Sequence, residues 1–215
     1  MRTLIIARHG EAGSNAAGTV SGTPPGEGLT AEGREQAQLL AGELAGTRVD
    51  LGVSTAFRRA HETLALALAG RGVPHMVLAQ LNEIRFGAFD GGSLAVYREW
   101  AWSEEPDVRP PGEGESRAEV AARIADGLYT LLAREEAVIL AVAHALPVRY
   151  VLDAADGCFP AARIDHVGHA TLYRLETDAV HAAAETLRGW SEEPAFRAST
   201  VGQTFRSDPP FSRDG

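Results

Sequence analysis

The chain has 215 residues, of which 45% are hydrophobic and 23% charged, enough apolar material for a sizeable core in one large domain. Twenty basic against 29 acidic residues leave a formal net charge of −9, which disfavours nucleic-acid or anionic-membrane partners but permits a locally positive pocket for a small anion. The single cysteine, Cys158, excludes an intrachain disulfide framework, and the opening apolar run Leu4 to Ala7 is too short for a signal peptide; a cytoplasmic location is expected.

Thr3 to Ala7 predicts a buried strand that stops at Arg8. Residues 10 to 28, rich in Gly, Ser, Thr and Pro, predict a long loop. Thr30 caps a predicted helix over about 31–45, with Ala37, Leu40, Ala41 and Leu44 on one face. A second strand is expected over Val49 to Ser54, a helix over about 56–69 ended by Gly70 and Gly72, and a third strand over Val73 to Ala79. From about 86 to 115 the periodicity weakens between Gly87, Gly91, Gly92 and Pro106, Pro110, Pro111. This stretch, with Tyr97, Trp100 and Trp102, predicts a small helical cap.

Ser116 and Glu119 form a capping box that opens a helix to about Arg134. Ala137 to Ala143 reads as a central parallel strand ending at His144, followed by a helix over about 145–154 and a strand over 170–176. Residues 1–190 are expected to form a single domain and 191–215, with Pro194, Pro209 and Pro210, a mobile tail. The alternation implies an α/β fold: a three-layer α/β/α sandwich with a mostly parallel central sheet and a helical cap.

Ligands in such sheets sit beyond the carboxyl ends of the strands. Arg8-His9, the Ser54 to Arg59 segment and His144 all follow strands, so they are expected at one edge. A guanidinium next to His9 suits phosphate and repels a divalent cation, and Gly10 leaves room for a close anion. Two arginines at a helix start, Arg58 and Arg59, sit where the helix end favours an anion. No H-x-x-x-H, C-x-x-C or Asp-x-Asp spacing points to a metal.

Taken in order, Arg8-His9-Gly10-Glu11 with Asn15, Arg59-Ala60-x-x-Thr63, Leu81-x-Glu83-x-x-x-Gly87 and Val142-Ala143-His144 resemble the histidine phosphatase superfamily. That group contains cofactor-dependent phosphoglycerate mutases and many small-molecule phosphatases. Gly22, Leu29-Thr30-x-x-Gly33 and Gly114-Glu115-Ser116 also match its pattern, and the likeness runs from about residue 3 to 176.

The resemblance implies roles. His9 looks like the nucleophile that becomes a phosphohistidine. Arg8, Arg59 and His144 resemble the phosphate pocket, with His144 protonated through a pKa raised by the bound anion. Glu83 looks like the proton donor to the leaving oxygen and then the base for water, which requires a raised pKa; a neighbouring phosphate dianion is one source. Asn15, Ser21, Gly22, the backbone amide of Ala145 and His169 are the candidates for substrate contact. Neither metal nor cofactor is implied.

Departures from the pattern are Ala145 where glycine is usual, His169-Ala170 where asparagine and a small residue are usual, and the loop Thr23-Pro24-Pro25-Gly26-Glu27-Gly28, which lacks an Asp. A mutase of this family needs a long, basic insertion before the second histidine. Here the interval is short, and its first half carries Glu99, Glu104, Glu105, Asp107, Glu113 and Glu115 against Arg85, Arg98 and Arg109. Hydrolysis of a small phosphorylated metabolite is therefore favoured over mutase transfer, and over a catalytically silent phosphate-binding module, which has no use for Glu83. If the Tyr97, Trp100 and Trp102 cluster faces the pocket, it suits an apolar or ring-bearing leaving group. A homodimer is left open.

Overall fold

The structure, a computed structural model, describes residues 1–196. Five strands, β1 (Thr3–Arg8), β2 (Leu51–Ser54), β3 (His75–Val77), β4 (Val138–Ala143) and β5 (Leu172–Glu176), form one sheet in the order β3-β2-β4-β1-β5. β1, β2, β3 and β4 pair in parallel, and β5 runs antiparallel along the edge of β1.

The strands are short and apolar because both faces are covered, so alternate residues feed two cores. Leu4, Ile6, Val53, Ile139 and Ala141 enter a core closed by α5 (Arg117–Leu132), α6 (Ala145–Ala155) and α7 (Thr177–Glu192). Ile5, Ala7, Leu140 and Val142 face the other way, against Leu40 and Leu44 from the side of α2 (Ala31–Glu43) and Ala60 and Leu64 of α3 (Arg58–Ala67). This is the expected three-layer sandwich. Two helix starts follow the expected chemistry. Thr30 Oγ1 accepts from Gly33 N, and Ser116 and Glu119 close their box reciprocally.

The structure adds two helices to the predicted elements and moves one boundary. The loop over 10–28 contains one helical turn, α1 (Gly13–Ala16), closed by Asn15 Oδ1 accepting from Ala12 N. The stretch after β5 is the long helix α7, which buries Val180, Ala183, Ala184, Leu187 and Trp190 at helical spacing. The tail expected from 191 begins inside that helix, and Phe196 still packs on Trp190 with ring centroids 5.9 Å apart. Ordered packing therefore persists to 196; the remainder of the expected tail lies outside the described residues.

The excursion between the third and fourth strands carries α4 (Leu94–Ser103), whose Tyr97 buries against Phe86 and whose Trp100 packs on Phe89 and Tyr97. Among the described residues, no helix is long and apolar enough to cross a membrane.

The start of α2 lies close against the loop after β1. A Cβ on Gly33 would sit 2.0 Å from Glu11 O, and one on Gly10 would sit 2.4 Å from Gly33 O. Both obstacles are backbone, so relief requires moving α2. Gly33→Ala is expected to cost about 1–3 kcal/mol of stability. A lower urea midpoint at unchanged m checks it, and an unchanged midpoint rejects the close approach.

Candidate active site

β1, β2 and β4 end on adjacent rungs: Arg8 is registered with Ala143, and Ser54 with Val142. His9, Thr55 and His144 therefore leave the sheet side by side, and the His9 and His144 rings meet edge to face at 5.1 Å.

His9 is 2% exposed, and its tautomer follows from its neighbours. Nδ1 lies 2.6 Å from Gly10 O, an acceptor, so Nδ1 carries the hydrogen. Nε2 receives the Arg59 Nε–H at 3.1 Å, so Nε2 carries the lone pair. Burial, then the charges of Arg59 and Arg8, hold the His9 pKa well below the usual histidine range. The ring is a neutral imidazole presenting Nε2 to a cationic surround.

Arg59 stands in the first turn of α3 and lies over the Phe57 ring at 4.3 Å. It also donates from Nη2 to Ser21 O at 2.9 Å and from Nη1 to Ser21 Oγ at 3.4 Å. Of the two adjacent arginines, Arg59 turns to His9, while Arg58 pairs with Glu62 at 2.7 Å on the surface. Thr63, one turn on, accepts from Gly10 N at 3.0 Å and donates to Arg59 O at 2.7 Å, tying the two motifs together.

Arg8 donates from Nη1 to Val167 O at 2.8 Å, and its buried Nε has no partner among the described residues. Desolvation brings its pKa down to about 10. Burial lowers the Arg59 pKa in the same way, opposed by Glu83.

His144 is fully buried at the N-terminus of α6, with Nε2 2.9 Å from Thr55 Oγ1 and Nδ1 unpartnered among the described residues. Burial first, then Arg59 and His9, hold its pKa well below the usual range. Without an anion beside it His144 therefore favours its neutral form; the protonation expected for it is tied to a bound anion. An arriving anion opposes both the burial and the neighbouring positive charge, and so favours a proton on the ring.

Glu83 follows a 3₁₀ turn (Ala79–Leu81) in a loop held from behind. Arg123 of α5 donates from Nη1 to Gln80 O and Asn82 O and from Nη2 to Glu83 O, at 2.8–3.0 Å. It grips Glu115 with Nε at 2.7 Å and Nη2 at 3.1 Å. Glu115 in turn accepts from Arg85 N at 3.2 Å. Glu115, counted above among the acids of the interval, is therefore buried in an ion pair and contributes nothing to an acidic surface. Burial raises the Glu83 pKa against the pull of Arg59, Arg8, Arg123 and the Ile84 N–H. The expected direction is present, and its main cause is desolvation.

The other candidates divide. His169 Nδ1 sits 3.0 Å from His9 O and its ring 5.8 Å from that of His9, so it abuts the nucleophile candidate. Its neighbour Ala170 is in the left-handed region at φ 49°, where its N–H reaches Arg8 O at 2.9 Å. Ala145 opens α6 in the wall of the cavity, where the first amides of a helix lack intrahelical acceptors.

Ser21 faces Arg59, as above. Asn15 is engaged by its own turn. The Gly22 amide donates to Asp90 Oδ1 at 2.7 Å, and a Cβ there would lie 2.4 Å from Ile84 O, so Gly22 serves a close approach to the Glu83 loop. The space beside Gly10, expected to admit an anion, is taken by Gly33. Nothing in the sequence marks Thr55 as the partner of His144, Arg123 as the support of the Glu83 loop, or Arg117 as part of the cavity wall. A buried Arg on an amphipathic helix has the same signature as a surface one.

A cavity of about 350 Å³ opens beside Arg8, Glu83 and Ala145, between α4 and the 162–167 loop. Among the described residues, no three His, Cys, Asp or Glu side chains converge to hold a metal ion. The arrangement suits an anion: two guanidinia, a neutral imidazole lone pair and a carboxyl held toward its protonated form.

Residues 4–188 match the family model described as histidine phosphatase superfamily (branch 1). The chain is 41% identical over 90 residues to an adenosylcobalamin/α-ribazole phosphatase of Escherichia coli K12, covering 42% of this chain and 43% of that protein, less than half its length. It is 32% identical over 165 residues to a 2,3-bisphosphoglycerate-dependent phosphoglycerate mutase of Rhizobium etli, 69% of this chain and 78% of that one. Its fold matches a mycobacterial glucosyl-3-phosphoglycerate phosphatase structure with a TM-score of 0.69 at 27% identity, over 81% of this chain and 91% of that one.

Proposed function

The chain belongs to the histidine phosphatase superfamily, and on that premise we propose that it is a metal-independent phosphomonoesterase for a small phosphorylated metabolite, acting through a phosphohistidine on His9. The observation that carries this reading is the His9 Nε2 lone pair, fixed by the Nδ1–H bond to Gly10 O and flanked by two partly desolvated guanidinia. A phosphoryl group arriving there replaces the imidazole as the acceptor for Arg59 and meets Arg8 on another oxygen.

Nε2 then attacks phosphorus as the ester P–O bond breaks, and Glu83 gives its proton to the leaving oxygen. Water next attacks the phosphohistidine while Glu83 takes back a proton, releasing inorganic phosphate and restoring the neutral imidazole. A silent binding module gains nothing from an acid held toward its protonated form beside this pocket. The free, exposed Cys158 fits a reducing, cytoplasmic setting.

Hydrolysis of a generic aryl phosphate, with stoichiometric release of inorganic phosphate and undiminished in the presence of a chelator, is the expected result. Loss of activity in the chelator would overturn the metal-independent reading. Interconversion of 3- and 2-phosphoglycerate, dependent on the bisphosphate and faster than any hydrolysis, would replace it with mutase transfer, the activity named for the Rhizobium relative.

A further inference from the structure

The cavity meets the proposed catalytic residues at Arg8, Glu83 and Ala145. The rest of the cavity is a long way from neutral scaffold. Its buried wall is formed by Phe86, Tyr97, Ala101 and Leu146, with Trp102 exposed at the rim, where the Arg163 guanidinium lies over its ring. Set into that wall is Arg117, only 9% exposed. Its Nε donates to Tyr150 Oη at 2.6 Å and its Nη2 to Ala161 O at 3.1 Å.

Among the described residues no carboxylate lies within ion-pair distance of Arg117, whereas Arg123, two turns away on the same helix, has Glu115. A buried cation without an anion is costly and is rarely kept for packing alone. Burial works against its charge, and the phenol oxygens of Tyr150 and Tyr97 more than offset this, so it stays a guanidinium. The other ionisable side chains that line the cavity include Arg8, Arg98, Glu83, Asp165 and His166, of which Arg98, Asp165 and His166 are exposed.

We propose that Arg117 is the specificity anchor of this site, and that the leaving group is an aromatic ring bearing a carboxylate. The ring fits the Phe86, Tyr97 and Trp102 wall, and the carboxylate supplies the anion that Arg117 lacks. Two constraints favour this class over others. A purely apolar leaving group would leave the charge of the guanidinium without a counter-ion. A compact polar one, such as a three-carbon acid, would leave the aromatic wall wet. This inference names the substrate class of the phosphatase site and rests on that reading.

The test compares kcat/KM for phenyl phosphate with that for 3- and 4-carboxyphenyl phosphate. The wild type is expected to favour at least one carboxylated ester roughly 10- to 100-fold, the yield of one charge-assisted hydrogen-bonded pair. Arg117→Met should collapse that ratio toward unity, mainly through KM, and Arg117→Lys should restore part of it. No preference in the wild type, or an unchanged ratio in Arg117→Met, overturns the assignment.

The wild-type comparison stands even if the Met variant fails to fold. A preference for 2,3-bisphosphoglycerate over every aryl ester also overturns it. Binding of benzoate and 1-naphthoate, measured by calorimetry on wild type and Arg117→Lys, separates the two layers. Carboxylate binding to a protein that hydrolyses no ester sinks the phosphatase reading and leaves the anchor. Hydrolysis with no carboxylate binding or preference does the reverse.

Discussion

His9→Ala is expected to lower turnover of an aryl phosphate by roughly a thousandfold or more, since it removes the atom that forms the covalent intermediate. The alternative nucleophiles nearby are poorly placed. His144 is wholly buried, with Nε2 already against Thr55 Oγ1, and His169 Nδ1 is directed at the backbone oxygen of His9. Neither presents a lone pair fixed against a guanidinium as His9 Nε2 is against Arg59.

Loss of rate must be distinguished from loss of the pocket. Arg8, Arg59 and His144 remain in the variant, so inorganic phosphate should still bind, and phosphate protection against thermal unfolding reads that directly. Rapid quenching of the wild type should trap an acid-labile phosphoryl group that is missing from the variant. Residual turnover above a few per cent, or an acid-stable adduct, would remove His9 from the nucleophile's role.

The sheet and the edge that carries these residues were legible because the strands are short, apolar and end at polar residues: Arg8 after Ala7, Ser54 after Val53, His144 after Ala143. Register then does the rest, since Arg8 opposite Ala143 leaves little freedom in where His9 and His144 emerge. The capping box at Ser116 was legible for the same local reason, as its partners lie within one turn.

What escaped the sequence is long-range or hidden by composition. The antiparallel β5 is a pairing choice between strands far apart in the chain. α7 carries a clean apolar stripe, Val180, Ala183, Ala184, Leu187 and Trp190, but its alanines and the absence of a side-chain cap at Glu176 blur its start. Glu115 reads as one acid among several until Arg123 is seen to hold it beneath the Glu83 loop. Arg117 reads as a charged residue just inside a helix until the cavity is seen around it.

Glu83→Gln is the second large effect, and its signature lies in the pH profile. Burial raises the Glu83 pKa, so the protonated, proton-donating form persists above the ordinary carboxylate range and is lost as pH rises through the folded value. A bound phosphate dianion pushes in the same direction. Burial and the two arginines lower the His9 pKa, so the neutral nucleophile is present at every pH above that low value.

The wild-type kcat/KM should therefore fall on the acid side as His9 takes a proton and on the alkaline side as Glu83 loses one. The amide cannot titrate, so Glu83→Gln should remove the alkaline limb, leave the acid limb in place, and lower the plateau roughly 10²- to 10⁴-fold. The loss should depend on the leaving group. An acidic phenol departs without a proton and should suffer least, whereas an alkyl phosphate releases a strongly basic alkoxide and should suffer most. Equal losses on both, or an alkaline limb that survives in the amide, would assign the proton to another group. Because Arg123 holds the loop through the backbone oxygens of Gln80, Asn82 and Glu83, the substitution leaves the loop's anchors intact. The lost rate then reports the missing proton.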